Sequence, residues 1–287
     1  YGYRNLRSFP LLKHFYGLPY IDVRLSFNSF IPAELDDKLA GRVVDYYINK
    51  LLQEPTLHDK VEFDIVFSCY TFDLPERLKK LDEFGFSIKE QRQISQSLRY
   101  LTNKILHPQK GLWKKDAAKL DILNLRREKL YKSSATTLEK IYWLIEDAKR
   151  YGTLPFAGLA RAGFIAIQML KSLVDVEVLS PNDYDSFLSS ISTISGDLSK
   201  DRSSLSKSNF LSRYGHLRPG TYDILSPRYD EEPDFYFDWK INSEKINNNK
   251  NFSCSLDQMR EIGNLLKLHD IESDPFGIFD FMQLGIN

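Results

Sequence analysis

Residues 214–229 bring together four side chains that could move a proton or bind an anion: His216, Arg218, Asp223 and Arg228. Histidine side chains titrate near neutrality, so His216 could act as an acid or as a base. Arginine is a planar cation whose donors match carboxylate and phosphate groups, which suits Arg218 and Arg228 to anion binding. Asp223 could orient the histidine or accept the proton itself.

The backbone of this segment is punctuated by glycines and prolines, at Gly215, Pro219, Gly220 and Pro227. Proline fixes φ and glycine reaches positive φ, so the sequence predicts a rigid, irregular loop and not a helix or a strand. Binding and catalytic groups are commonly carried on such loops. The residue types also leave open a loop whose ion pairs are purely structural.

The amino-acid composition limits the classes to which the protein could belong. The chain has 287 residues, 42% hydrophobic and 27% charged, with a net charge of zero. These values are typical of a soluble globular protein of one large or two small domains. They give no strong field to attract nucleic acid, and no apolar run suggests a membrane span. Cys69 and Cys254 lack metal-ligand spacing, which favours reduced thiols, a cytoplasmic location and no metal site.

Hydrophobic periodicity predicts a mainly α fold with a small two-stranded β element near the N-terminus. Alternating residues at 20–27 and 61–68 predict two strands that pair with each other. We expect a β-containing part at 1–86 and a helical part at 87–287 that carries the loop. The predicted helices span 32–53, 74–81, 87–106, 112–132, 136–151, 154–178, 182–208, 255–268 and 275–284.

Three further polar side chains are candidates for ligand contacts. Arg161 and Gln168 lie on one face of the most apolar predicted helix, where an arginine is seldom buried without a partner. Arg24, in the first predicted strand, could contact an anion. The structural alternatives are an ion pair of Arg24 with Asp22 or Asp64, and a core Arg161 bonded to an acidic neighbour.

The loop reads Y-G-H-L-R-P-G-T-Y-D-I-L-S-P-R-Y from Tyr214 to Tyr229. It resembles the G-H-R-x-P-x-E-x-D-L-x-x-P-R-W segment of the phosphoenolpyruvate synthase and rifampin phosphotransferase family. The residues that match in order are Gly215, His216, Pro219, Asp223, Pro227 and Arg228.

Leu217, Thr221 and Tyr222 depart from that pattern. They are similar instead to a branch found in bacterial capsule and lipopolysaccharide gene clusters, which includes the L-glutamine kinases of capsular phosphoramidate synthesis. That branch also carries the G-L-P-Y-I-D-V-R-L-S-F-N-S-F-I-P of Gly17–Pro32. The resemblance therefore draws on two segments that lie far apart in the chain.

The resemblance implies that residues 1–287 are the central acceptor-binding domain of a larger phosphotransferase, inactive as an isolated piece. An ATP-grasp domain would precede it and a swivelling phosphohistidine domain would follow it. ATP and magnesium would belong to the full-length enzyme and not to this piece, whose sequence has no Gly-rich phosphate loop. The acceptor would be the side-chain amide of L-glutamine, and AMP and phosphate would be released.

The resemblance also suggests roles for individual residues. His216 would be the base, with Asp223 orienting or replacing it, and Arg218 and Arg228 would bind the phosphoryl group. The candidate acceptor contacts are Arg24, Arg161, Gln168, Thr221 and Tyr222. A sugar, a polyol or another capsule precursor is an alternative acceptor, and a non-catalytic ligand-binding or docking domain is an alternative function.

Overall fold

The computed structural model describes residues 2–6, 8–219, 225–239 and 252–287. Its described part is mainly helical, with one antiparallel pair of strands near the N-terminus, which confirms the predicted fold class. The strands are β1 (Leu12–Phe15) and β2 (Leu18–Ile21), paired with Leu12 opposite Ile21. The helices are α1 (Val23–Asn28), α2 (Asp37–Gln53), α3 (Leu74–Lys79), α4 (Ile88–Leu106), α5 (Leu112–Tyr131), α6 (Thr137–Asp147), α7 (Leu154–Asp175), α8 (Pro181–Ser190), α9 (Ile194–Ser204), α10 (Lys207–Tyr214), α11 (Pro233–Tyr236), α12 (Leu256–Leu268) and α13 (Pro275–Ile286).

The chain forms two compact units. The first unit comprises residues 1–184 and 254–286, and the second comprises residues 185–253. Residues on both sides of position 86 therefore belong to the first unit. The loop at 214–229 belongs to the second unit, together with α9, α10 and α11.

The first predicted strand, at 20–27, is wrong beyond Ile21. Asp22 caps a helix there, because its Oδ1 accepts a hydrogen bond of 3.2 Å from the backbone N–H of Leu25. A capping aspartate supplies the acceptor that a first helical turn lacks, and this interaction competes with an extended backbone. Arg24 therefore lies on α1 and not on a strand.

The second predicted strand, at 61–68, is also wrong. Residues 61–65 form a π-helical turn, and residues 65–72 run through the interior with every side chain buried. Side chains of other helices replace a partner strand by satisfying the backbone N–H groups of this segment. The acceptors are Tyr47 Oη for Phe67 N at 3.0 Å, Thr102 Oγ1 for Tyr70 N at 2.8 Å, and Ser172 Oγ for Phe72 N at 3.4 Å.

The small residues of α7 allow a second helix to approach closely, as their sizes predict. A Cβ atom added to Gly163 would lie 2.9 Å from the carbonyl oxygen of Gly285 on α13. The rest of the α7 face is buried against the core of the first unit. Its buried apolar side chains are Ala162, Ile165, Ala166, Met169, Leu170 and Leu173.

The two helices predicted at 136–151 and 154–178 are not separated at Gly152. A π-helical turn at Ala148–Thr153 joins α6 to α7, so that one helix runs from Thr137 to Asp175. This helix is long and apolar enough to cross a membrane by length and composition, and 44% of its most apolar window is buried. Core helices of soluble proteins pass the same test, so the expected absence of a membrane span stays a prediction.

Polar caps set several helix boundaries. Ser87 and Glu90 form a capping box at the start of α4. Asp36 caps α2, which therefore begins at Asp37 and not at Pro32. The single helix predicted at 182–208 is divided among α8, α9 and α10, with Thr193 and Ser206 capping the last two. Serine and threonine favour such caps over helix interiors.

Candidate functional site

Helix α10 leads directly into the candidate site of the second unit. The N–H of Gly215 continues the helical pattern by donating to Leu211 O at 2.8 Å. A Cβ atom at position 215 would lie 2.3 Å from Leu211 O and 2.8 Å from Asp230 Cβ. Glycine is therefore required here for close approach of two backbone segments, although its φ of −55° is ordinary.

Backbone hydrogen bonds join two arms of the loop: the first arm follows α10 and carries Arg218, and the second carries Arg228 and runs to Asp230. The N–H of Tyr229 donates to Leu217 O at 3.0 Å, and the N–H of Asp230 donates to Gly215 O at 3.0 Å. These bonds fix the register between the arm that carries Arg218 and the arm that carries Arg228.

His216 is exposed at the turn between α10 and the first arm. Its imidazole makes no hydrogen bond with any residue that the structure describes. Three predicted site residues, Thr221, Tyr222 and Asp223, lie outside the described residues. The predicted pairing of Asp223 with His216 therefore stays a prediction.

The two arginines of the loop share one carboxylate, Glu231. Glu231 Oε2 accepts a hydrogen bond of 2.7 Å from the backbone N–H of Arg228 and lies 4.0 Å from Arg218 Nη2. Its Oε1 lies 3.5 Å from Arg228 Nε. The side chains of Arg218 and Arg228 are 31% and 42% exposed, so both remain within reach of solvent.

Asp230 completes this cluster by binding Arg228 through both carboxylate oxygens, at 2.9 Å to Nε and 3.1 Å to Nη2. Asp230 and Glu231, the partners of the arginines, were not among the predicted site residues. The acidic run that follows Arg228 at 230–232 was the available signal, because a chain reversal places it beside the preceding residues.

Aromatic side chains that follow the second arm in sequence pack against it. Tyr236 Oη donates to Pro227 O at 2.8 Å, and the rings of Tyr229 and Phe237 meet edge to face at 4.6 Å. Tyr214, before the first arm, donates from its hydroxyl to Asp201 Oδ2 at 2.9 Å. Burial and this hydrogen bond both raise the pKa of Tyr214, so it stays a neutral donor.

Arg24, in the first unit, forms an ion pair with Asp45 at 2.7 Å. Neither expected partner, Asp22 or Asp64, binds it. Because the Arg24 and Asp45 side chains are 58% and 56% exposed, the pair is a surface contact. Such pairs add little to stability.

Arg161 is held between two aromatic rings of the first unit. Its guanidinium carbon lies 4.5 Å from the ring centre of Tyr3 and 4.1 Å from that of Phe30. It also donates to the backbone carbonyl and the hydroxyl of Ser29. Cation–π contacts and a carbonyl thus stabilise this arginine, in addition to its other contacts.

Gln168 is buried and bonded within the interior. Its Nε2 donates to Glu62 O and, at 3.0 Å, to Ser68 Oγ. The hydroxyl of Tyr3 donates to Ser68 O, so Tyr3 and Ser68 connect Arg161 with Gln168. These contacts favour a structural role for Gln168, since its amide has no exposed group left for a ligand.

Among the described residues, no group of three or more His, Cys, Asp or Glu side chains is placed to hold a metal ion. The cluster around Arg228 combines carboxylates with guanidinium groups, which compete with any cation for the same oxygens.

Comparison of the chain with family models, curated proteins and solved structures finds no match. The similarity to the phosphotransferase loop therefore depends only on the residues quoted for it. Functional interpretation depends on the geometry of the loop and the chemistry of its side chains.

Proposed function

We propose that this chain is the acceptor-binding part of an ATP-dependent phosphotransferase that phosphorylates the side-chain amide of L-glutamine. One observation carries the proposal. An exposed imidazole, His216, lies on the same fixed loop as two arginines, Arg218 and Arg228, that share a carboxylate. The resemblance of this loop to phosphotransferase sequences gives the reaction class.

The chemical difficulty of this reaction matches the side chains of the loop. An amide nitrogen is a weak nucleophile, because its lone pair is delocalised into the carbonyl group. In the proposed step, the bond from phosphorus to the donor histidine breaks as a bond from phosphorus to the amide nitrogen forms. His216 takes the amide proton, and the two arginines bind the oxygens of the transferring group.

In the absence of a phosphoryl group, the carboxylate of Glu231 holds the two arginines in positions from which they could bind one. It contacts Arg218 only loosely, at 4.0 Å, while Asp230 fixes the plane of Arg228 through two bonds. An incoming phosphoryl group would displace the looser contact and find Arg228 already oriented. Pre-oriented donors stabilise a transition state without reorganising during the reaction.

ATP would supply the phosphoryl group and magnesium would neutralise its charge, both held outside this chain by an ATP-grasp domain. A swivelling domain would carry the group as a phosphohistidine. Within this chain, the proposed work is to bind the acceptor, remove its proton and hold the phosphoryl oxygens. We further propose a cytoplasmic location, where ATP is available.

The acceptor is tested by measuring AMP release from ATP in the full-length enzyme with a panel of acceptors. L-Glutamine should stimulate release, and ³¹P NMR should detect a phosphorus–nitrogen product. L-Glutamate is the matched control, because its side chain lacks the amide nitrogen and should give no such product. A hydroxyl would need the same base and arginines, so stimulation by a sugar or polyol alone would move the proposal to that acceptor.

A further inference from the structure

A cavity of about 170 Å³ opens in the first unit between the N-terminal segment and α1. Its lining combines polar and apolar side chains. The polar residues are Arg4, Asn5, Ser26 and Ser29, and the apolar residues are Leu6, Phe9, Leu11 and Leu25.

The polar residues of the lining include hydrogen-bonding groups that the described part of the chain leaves without a partner. Arg4 Nη2 donates to Leu35 O and to Asp37 Oδ1, both at 2.6 Å. Its Nη1 has no acceptor among the residues that the structure describes, and neither do the side chains of Asn5 and Ser26. The Arg4 side chain is only 19% exposed, so its position is fixed by the surrounding structure.

We propose that this cavity binds a small monocarboxylate with a short hydrocarbon chain. A guanidinium with a free edge matches a carboxylate, and the leucine and phenylalanine side chains match a hydrocarbon. Asp37 already offsets part of the charge of Arg4, which favours a singly charged ligand over a phosphate dianion. The site is independent of the proposed phosphotransferase reaction.

The volume limits the size of the ligand. A water molecule takes up about 30 Å³ in the liquid, so the cavity has room for roughly six non-hydrogen atoms. Butyrate has this size and combines a carboxylate with a three-carbon chain. Butanamide has the same shape without the charge, so the pair isolates the contribution of Arg4.

Calorimetric titration of the chain with butyrate, butanamide and inorganic phosphate tests the proposal. Butyrate should bind saturably, and butanamide and phosphate at least tenfold more weakly, because hydrogen bonds to a charged partner are the stronger ones. Equal affinity for butyrate and butanamide, or no saturable binding of butyrate, would overturn it.

Variants locate the site. Ser26→Leu should abolish binding by filling the cavity while leaving Arg4 in place, and Arg4→Gln should abolish it by removing the charge. Asp37→Asn removes the competing carboxylate and should preserve or tighten binding. The distant, exposed Arg260→Gln is the matched control and should bind butyrate like the unaltered chain.

Arg4 also bonds the backbone at Leu35, so Arg4→Gln is interpreted only if its melting temperature matches that of the unaltered chain. Ser26→Leu keeps the test decisive if Arg4→Gln fails to fold. Undiminished butyrate binding by folded Ser26→Leu would exclude this cavity.

Discussion

Arg228 and Asp230 form a two-bond ion pair across the end of the candidate loop, with Nε–Oδ1 and Nη2–Oδ2 distances of 2.9 and 3.1 Å. Both side chains are about two-fifths exposed, at 42% and 40%. An ion pair this exposed contributes only about 0–1 kcal/mol to stability. A large effect of changing Arg228 would therefore have to come from function.

Arg228→Lys should separate a structural role of this arginine from a functional one. The variant keeps the charge but loses the planar fork, so stability should fall by less than about 1 kcal/mol. Acceptor-dependent turnover of the full-length enzyme should fall at least tenfold, which corresponds to about 1.4 kcal/mol of transition-state stabilisation. Denaturant unfolding and AMP release measure the two quantities. Unchanged turnover would favour the purely structural loop.

Gly215 should tolerate no side chain. Gly215→Ala would place a methyl group 2.3 Å from Leu211 O, and we expect it to destabilise the second unit by about 1–3 kcal/mol. Gly41→Ala is the matched control, because a Cβ there meets nothing within 4 Å inside α2. It should stabilise the chain by about 0.5–1 kcal/mol. Equal effects of the two substitutions on thermal unfolding would contradict the loop geometry.

The buried segment at 65–72 should depend on side-chain acceptors. Thr102→Val keeps the shape of the side chain but leaves the N–H of Tyr70 without its 2.8 Å partner. The free energy of unfolding should fall by about 1–3 kcal/mol. Thr56→Val, at an exposed site, should change it by less than about 0.5 kcal/mol. Urea denaturation compares them, and a neutral Thr102→Val would show that the segment does not need this bond.

Stability should depend on pH through His269, whose Nδ1 lies 2.8 Å from the Tyr70 hydroxyl. Burial, and then the charge of Arg99, lower the pKa of His269. The unfolded chain therefore binds this proton at a higher pH than the folded chain does. The contribution of neutral His269 to the free energy of unfolding is therefore complete above the ordinary histidine pKa of about 6.5. It is lost as the pH falls below that value.

Thermal unfolding between pH 8 and pH 5 measures this effect. His269→Gln should flatten the decline towards acidic pH, because the substituted side chain does not titrate. His58→Gln, at an exposed histidine, is the matched control and should retain the decline. A His269→Gln variant with the full decline would assign the pH dependence to other groups.

Local signals in the sequence were sufficient for much of the fold. Capping residues such as Ser87 and Thr136 act on their own first turn, so their helices could be predicted from adjacent positions. The buried segment at 65–72 could not, because its acceptors Thr102 and Ser172 come from helices far along the chain. The strand was predicted at 61–68 from alternating residues, but so short a pattern does not distinguish a strand from a helical turn, and residues 61–65 form a π-helical turn.

The candidate site, too, could be predicted only in part from the sequence. The glycine and the charged residues of the loop could be recognised individually from their types. The sharing of Glu231 by Arg218 and Arg228 could not, because it depends on the backbone bonds that fold the second arm back. Arg24 was assigned the wrong partners because Asp22 caps α1, which places the arginine beside Asp45 on α2.

The most direct test of the proposed function is His216→Asn in the full-length enzyme, with His58→Asn as the matched control. ³¹P measurements should follow the phosphohistidine and the phosphorylated acceptor separately. We expect His216→Asn to form phosphohistidine normally but to produce no phosphorylated L-glutamine, whereas His58→Asn should do both. Normal phosphorylation of L-glutamine by His216→Asn would contradict the proposed function.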